Sequence, residues 1–292
     1  MGRRWLQALT AALLLATGFP IASQAHQPVM DMAPRWQGGW GFQVRNEHRS
    51  SNALYRGDKR IENTEGKKRT VNTTWLEGVY TFKREVRLTA KIPWVEHNRT
   101  FAQGGSHKTQ TGSGLGDAIF GLQLKRYFNR AERTANFGIT PSIRVPSGSS
   151  NADYPVGDGS WDVGLSTSFS TEVFQFYQFY DLFYWHNSKG ERNINRGDEV
   201  GLDVNIGVHP FHDNERNMGM FLMGDLSVRF ESRGRDTRGV TGGSRVSLGP
   251  VLVLYWNNLM FRAETKVPVY QFARGTQVGR GTEFNAGLGV TF

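Results

Sequence analysis

The chain of 292 residues carries 35 glycines, 12% aromatic residues and no cysteine, with a formal net charge of +9. Its length holds one large β domain, and the lack of cysteine excludes a disulfide framework and thiol chemistry. The basic balance invites a nucleic-acid reading. No recognition helix or aromatic–basic sheet motif accompanies it, so nucleic acid is excluded as a partner, and basic loops facing lipopolysaccharide phosphates explain the charge.

The N-terminus reads as an export signal. Arg3 and Arg4 precede an apolar run from Ala8 to Ala22, and Ser23-Gln24-Ala25 supplies small residues at a cleavage position. Residues 1–25 are therefore expected to be a secretory signal peptide cut before His26, leaving 26–292 as the folded domain. A membrane anchor needs about 20 apolar residues, and this run is shorter and broken by Pro20.

After a polar leader, His26 to Arg35, the period becomes two. Trp40, Phe42 and Val44 begin the first strand, with Gln43 and Arg45 on its other face. Glu47 to Arg69 is charged and aperiodic, and is predicted as a loop. Leu76, Gly78, Tyr80 and Phe82 mark the second strand. A tight turn leads to the third, with Leu88, Ala90, Ile92 and Trp94 on one face and Arg87, Thr89 and Lys91 on the other. Glu96 to Ser113 is the next predicted loop. Strands four to six carry Ala118 to Leu124, Phe137 to Val145 and Trp161 to Phe169.

The seventh predicted strand, Val173 to Trp185, is aromatic on both faces, so its phase stays open. The eighth runs over Val200 to Val208, with a turn at Phe211 to Asn217. Met220 to Phe230 is the ninth, a long loop spans Glu231 to Gly243, and the tenth and eleventh run over Val246 to Leu254 and Phe261 to Val269. After a loop at Ala273 to Arg280, Phe284, Ala286, Leu288, Val290 and Phe292 alternate on the closing strand.

About twelve strands with strictly alternating long and short connections predict an antiparallel up-and-down transmembrane β-barrel. Its short turns are periplasmic and its long loops extracellular, in the outer membrane of a Gram-negative bacterium. The last strand is expected to pair with the first, since an uncovered edge is a liability. Its terminal Phe292 resembles the signal by which the barrel-assembly machinery recognises such chains. Trp94, Tyr127, Phe128, Tyr255, Trp256 and Tyr270 are expected in the interfacial aromatic girdles.

Parity assigns the lumen its lining: Arg45, Glu77, Arg87, Lys91, Asp117, Lys125, Arg144, Asp162, Asp203, Asp225, Arg229, Arg262, Glu264 and Lys266. Charges are costly on a lipid face. Two readings stay open for them, a lumen braced by ion pairs and a polar path for solutes.

Gly112-Ser113-Gly114-Leu115-Gly116-Asp117 resembles the Gly-rich GxGD motif of the family named after the meta-pathway of phenol degradation (MetA type). Thr140 to Gly148 (TPSIRVPSG), Gly157 to Leu165 (GDGSWDVGL) and the closing strand are similar to that family too. The resemblance implies an outer-membrane barrel acting as a transporter. Taken alone, Gly112, Gly114 and Gly116 permit a turn into a strand. No helix follows them, so a dinucleotide site is excluded, and Asp117 is expected to cap the turn or pair with a basic neighbour rather than to contact substrate.

The expected function is a narrow diffusion pathway for small solutes, aromatic or other hydrophobic compounds among them. Its partners are then outer-membrane lipid, lipopolysaccharide and a small-molecule solute. The competing class is an acyl hydrolase: His186 and Ser188 are similar to the His-x-Ser pair of outer-membrane phospholipase A, although no residue in sequence presents itself to orient the imidazole. A structural or adhesive barrel is the third reading. His48, His97, His107, His209 and His212 show no metal-ligand spacing, so neither metal nor organic cofactor is predicted.

Overall fold

Alternation along the chain is realised as one closed sheet. The computed structural model describes residues 34, 36–103, 106–130, 133–148, 156–191, 195–213, 215–236 and 239–292; the expected signal peptide lies outside them. β1 (Trp40–Ser51) is followed by a small hairpin of β2 (Leu54–Gly57) and β3 (Lys59–Ile61). Then come β4 (Lys68–Lys83), β5 (Val86–Gln103), β6 (Ser106–Leu115), β7 (Ala118–Arg130) and β8 (Arg133–Val145). β9 (Asp162–Val173), β10 (Phe176–His186), β11 (Glu199–Asp213) and β12 (Met218–Asp236) follow. β13 (Gly239–Trp256), β14 (Leu259–Val278) and β15 (Glu283–Thr291) complete the order.

Every ladder is antiparallel between barrel neighbours, and β1 pairs with β15 from Gly41↔Thr291 to Arg49↔Glu283. Phe292 finishes the seam: its N–H donates to the Trp40 carbonyl at 2.8 Å, and the Trp40 N–H donates to the Phe292 carbonyl at 2.6 Å. Closure satisfies the edge groups of both terminal strands, which hydrocarbon cannot do. β6 and β7 form one stave against β5, broken at Gly116–Asp117, so the barrel has twelve staves. The break falls where the Gly116 N–H donates to the carbonyl of Pro93 (2.8 Å), a residue with no N–H of its own to give a ladder.

The pleat sorts the side chains. On β13, Leu248, Leu254 and Trp256 are exposed on the lipid side while Val251 and Val253 are buried inside. On β15, Phe284 and Leu288 point out and Asn285 points in.

Several expectations are corrected. The Glu47–Arg69 loop contains strand: β1 continues to Ser51, and β2 pairs with the top of β14 between Leu54↔Val278 and Gly57↔Ala273. The Glu96–Ser113 loop is a hairpin extending the sheet, with Trp94↔Leu115 through Gln103↔Ser106 in register, and strand likewise enters the Glu231–Gly243 and Ala273–Arg280 loops. Above the bilayer both faces meet water, so these extensions carry no apolar alternation to read. The predicted seventh strand is cut at its start: Val173 ends β9, and Phe174–Gln175 forms the turn, with Phe174 at φ 58°. Tyr127 and Tyr255 do not join the outer girdle. They face inward, where Tyr127 lies under Arg84 (4.2 Å) and the Tyr255 hydroxyl meets His209 Nε2 (3.1 Å).

Candidate functional site

The inward positions form three layers. Midway up, charges meet across neighbouring strands. Arg45 donates to Glu77 Oε1 from Nε (3.1 Å) and Nη2 (2.9 Å). Arg229 Nη2 donates to both oxygens of Asp203 (2.9 and 2.7 Å). Lys266 Nζ lies 2.8 Å from Glu264, 3.5 Å from Asp225 and 3.8 Å from Asp203, and Arg262 reaches Glu264 at 2.6 Å. Arg144 pairs with Asp162 at 3.0 Å beneath the Trp185 ring. The structure thus brings together ten of the residues that parity placed inside, as Arg45/Glu77, Arg144/Asp162 and one network of Asp203, Asp225, Arg229, Arg262, Glu264 and Lys266. Lys91 is exposed on the same inner face and has no ion pair among the described residues. Pairs of this kind brace the wall, and the buried acids Asp162, Asp225 and Glu264 each have a cation beside them.

The periplasmic layer is apolar along β10, β12, β13 and β14. Tyr177, Phe221, Met223, Val251, Val253 and Met260 form a buried cluster inside the barrel, with Phe179 and Tyr255 packed against it. His209 stacks on Phe221 at 3.9 Å, with Nδ1 3.3 Å from Glu172 Oε1. His209 and His212 both lie on β11, which runs on into the turn expected from Phe211, and His209 is buried. At the same end of the barrel Pro34 is buried against β4 and β5. The Pro34 carbonyl accepts from Thr81 Oγ1 (3.1 Å) and Arg87 Nη2 (3.4 Å), and the Gly38 N–H donates to the Thr81 carbonyl (2.8 Å). Arg87 is 2% exposed and Lys125 7%, so both belong to this packed end. Parity missed the apolar cluster because it sought polar residues inside. The signal was present: FYQFY, MFLM and VLVLY are apolar on both faces, which a strand needs only when its inner face is packed too.

The extracellular layer is a vestibule of about 530 Å³ whose arginines and lysines outnumber its acids, Glu47, Asp117, Glu199 and Glu231. Its floor is tied down by the Gly-rich motif. Asp117 Oδ1 accepts the Gly148 N–H (3.0 Å) and Oδ2 accepts the Asp158 N–H (3.1 Å), while Ser147 Oγ donates to the Gly116 carbonyl (3.0 Å). A Cβ on Gly148 would sit 2.9 Å from Gly157 Cα, so the two loop ends can touch only as glycines. All three motif stretches named above meet at this one carboxylate. Burial raises the Asp117 pKa, and the charge of Asp158 adds to it against the two backbone donors. Burial also works against Asp158, but Arg196 at 3.0 Å and two hydrogen bonds from Ser160 outweigh it and hold that carboxyl below the usual range.

His186 and Ser188 do not meet. His186 Nδ1 lies 3.1 Å from Asp198, an orienting partner the sequence did not reveal. The Ser188 hydroxyl, however, donates to the Trp161 carbonyl at 2.6 Å and its N–H to Asp162 at 2.9 Å. Among the described residues no group of three or more His, Cys, Asp or Glu could hold a metal ion.

The sequence profile of the family described as "Putative MetA-pathway of phenol degradation" matches residues 49–285. The crystal structure of an outer membrane channel from Pseudomonas putida F1 superposes with a TM-score of 0.69 at 14% identity, covering 92% of this chain and 100% of that one. The β domain of the Bordetella autotransporter BrkA gives 0.41 at 12% identity over 88% and 100%, and LpxR from Salmonella typhimurium 0.38 at 9% over 86% and 99%. No curated protein matches.

Proposed function

The chain belongs to the MetA-pathway phenol-degradation family, and we propose that it is an outer-membrane channel for passive uptake of small solutes, aromatic or other hydrophobic compounds among them. The observation that carries this reading is the vestibule of about 530 Å³, which stands over a wall of inward charges. A barrel of twelve staves lies between the filled eight-stranded and the open sixteen-stranded kinds, so its side chains set the bore. The name of the Pseudomonas putida F1 relative supports the same reading. Cleavage of 1–25, assembly through the strand ending at Phe292, and lipopolysaccharide contact by exposed Lys59, Arg60 and Lys108 belong to it as well.

Planar-bilayer conductance of the refolded protein is the test. Defined steps are expected. A silent, correctly folded barrel would end the reading and favour a structural or adhesive role. The hydrolase alternative gains an oriented His186 but lacks a nucleophile on it, because Ser188 is engaged elsewhere. Lipase activity lost in Ser188→Ala would revive it.

A further inference from the structure

Three guanidiniums from separate stretches of chain converge in the vestibule. Arg49 lies on β1 opposite Glu283, Arg245 on β13 opposite Arg229 and Gln271, and Arg280 between β14 and β15. All three line the large cavity, and Arg245 and Arg280 also line a recess of about 50 Å³ beside Ser227, Ser247 and Glu283. The position of Arg280 is built. Its N–H donates to Gln271 Oε1 (2.7 Å), and Gln271 Nε2 donates back to its carbonyl (2.8 Å). The preceding Gly279 N–H donates to the Ala53 carbonyl at 2.9 Å. A Cβ on Gly281 would lie 1.7 Å from the Ser50 carbonyl oxygen, so only glycine lets this loop close onto β1.

The charges there do not balance. Deeper in the lumen Arg45 has Glu77, Arg229 has Asp203, and Lys266 has Glu264. Higher up, neither the Arg245 nor the Arg280 guanidinium has a hydrogen bond or ion pair with a described residue. The charges acting most strongly on Arg245 are Arg280, Arg49 and Arg229, with Glu283 the acid that offsets them. Arg49 reaches Glu47 at 3.2 Å and Glu283 at 3.8 Å, yet it also faces Arg280 and Arg69. Crowded like charges away from bulk water repel strongly, and an incoming anion relieves the repulsion. A guanidinium presents its donors in a planar fork that fits a carboxylate bidentately. The same cavity has an apolar wall, Val71, Trp75 and Val95 on β4 and β5, and Arg49 pairs in register with Val71.

We propose that Arg49, Arg245 and Arg280 bind the carboxylate of a small organic acid whose hydrocarbon part rests on Val71, Trp75 and Val95. The inference rests on the channel reading for its purpose, since it names the solute class that would be drawn into the pathway.

The test is titration of the full-length, detergent-folded protein with benzoate, its neutral counterpart benzyl alcohol, and inorganic phosphate at low ionic strength, followed by calorimetry and by tryptophan fluorescence. Benzoate should bind saturably and weaken with added salt, and Arg245→Gln with Arg280→Gln should weaken it at least about tenfold, because the carboxylate loses its desolvated partners. Arg216→Gln, in a periplasmic turn with a side chain 77% exposed, should leave binding unchanged. The conservative Arg280→Lys keeps the charge but not the fork, and should weaken benzoate by a smaller factor; it serves where the double variant does not fold. Benzyl alcohol binding as tightly as benzoate would overturn the proposal, as would phosphate binding without benzoate, or a folded double variant within about twofold of the parent. Arginine-dependent benzoate binding by a barrel silent in bilayers would sustain this site and end the channel reading. Conductance without such binding would do the reverse.

Discussion

The two ends of the lumen are built on the same pleat and come out as opposites. At the periplasmic end the inward residues of β10, β12, β13 and β14 are large and apolar, and they pack to exclude water: Phe221 is 1% exposed and Val253 0%. At the extracellular end arginines crowd the inward face, and a cavity of about 530 Å³ stands open between them. Backbone geometry does not distinguish these ends. Apolar side chains gain by closing on one another, whereas unpaired guanidiniums repel and hold solvent between them. The bore of a twelve-stave barrel is thus a property of its side chains.

The sharpest way to break this contrast is to open the packed end. Phe221→Ala removes a buried ring stacked on His209 at 3.9 Å and should cost about 3–5 kcal/mol of stability. It should also raise conductance; denaturant unfolding in lipid and bilayer recording check the two parts. Unchanged conductance would show that the periplasmic cluster does not restrict the path.

Loosening the open end should cost less and stay local. Asp117→Ala strands the Gly148 and Asp158 N–H groups, at about 1–3 kcal/mol for each buried donor left unpaired. Hydrogen exchange should accelerate at those two amides and not at Thr81 or Val253.

A charge reversal tests the middle. Arg144→Glu places an acid against Asp162, and the reversal potential in a salt gradient should shift toward cations. Arg87→Glu is a different experiment, because Arg87 holds the Pro34 carbonyl and its loss should destabilise the periplasmic end instead.

The smallest expected effect is a pH response of the vestibule floor. The Asp158 carboxyl is held below its ordinary value, so its pairing with Arg196 stabilises the loops fully above about pH 4 and is lost as pH falls through the depressed value. Protease cleavage of residues 145–162 should rise only below that range. Cleavage that rises near neutral pH would assign the hold to another group.

Much of the fold was legible. Lipid requires apolar residues at every second position and a closed edge, so strand count, most strand phases and the pairing of the last strand with the first followed from alternation. The charged lumen was legible for the same reason, as with Arg229 and Asp203, but which charges pair was not, since strand slant and register decide that. The strand extensions above the bilayer escaped notice because water on both faces imposes no period. In the sequence Arg49 and Arg280 fell within predicted loops and Arg245 just ahead of the tenth strand, with nothing local to bring the three together.

By itself, then, the sequence determined that the chain is a membrane barrel and, except on the doubly aromatic seventh strand, which face of a strand meets lipid, because those depend on a local period of two. Tertiary structure alone decided that Tyr177, Phe221 and Val253 fill one end, that Asp117 draws three motifs together, and that three guanidiniums share one cavity. Those outcomes depend on residues far apart in sequence meeting across a closed sheet, and no local pattern encodes that meeting.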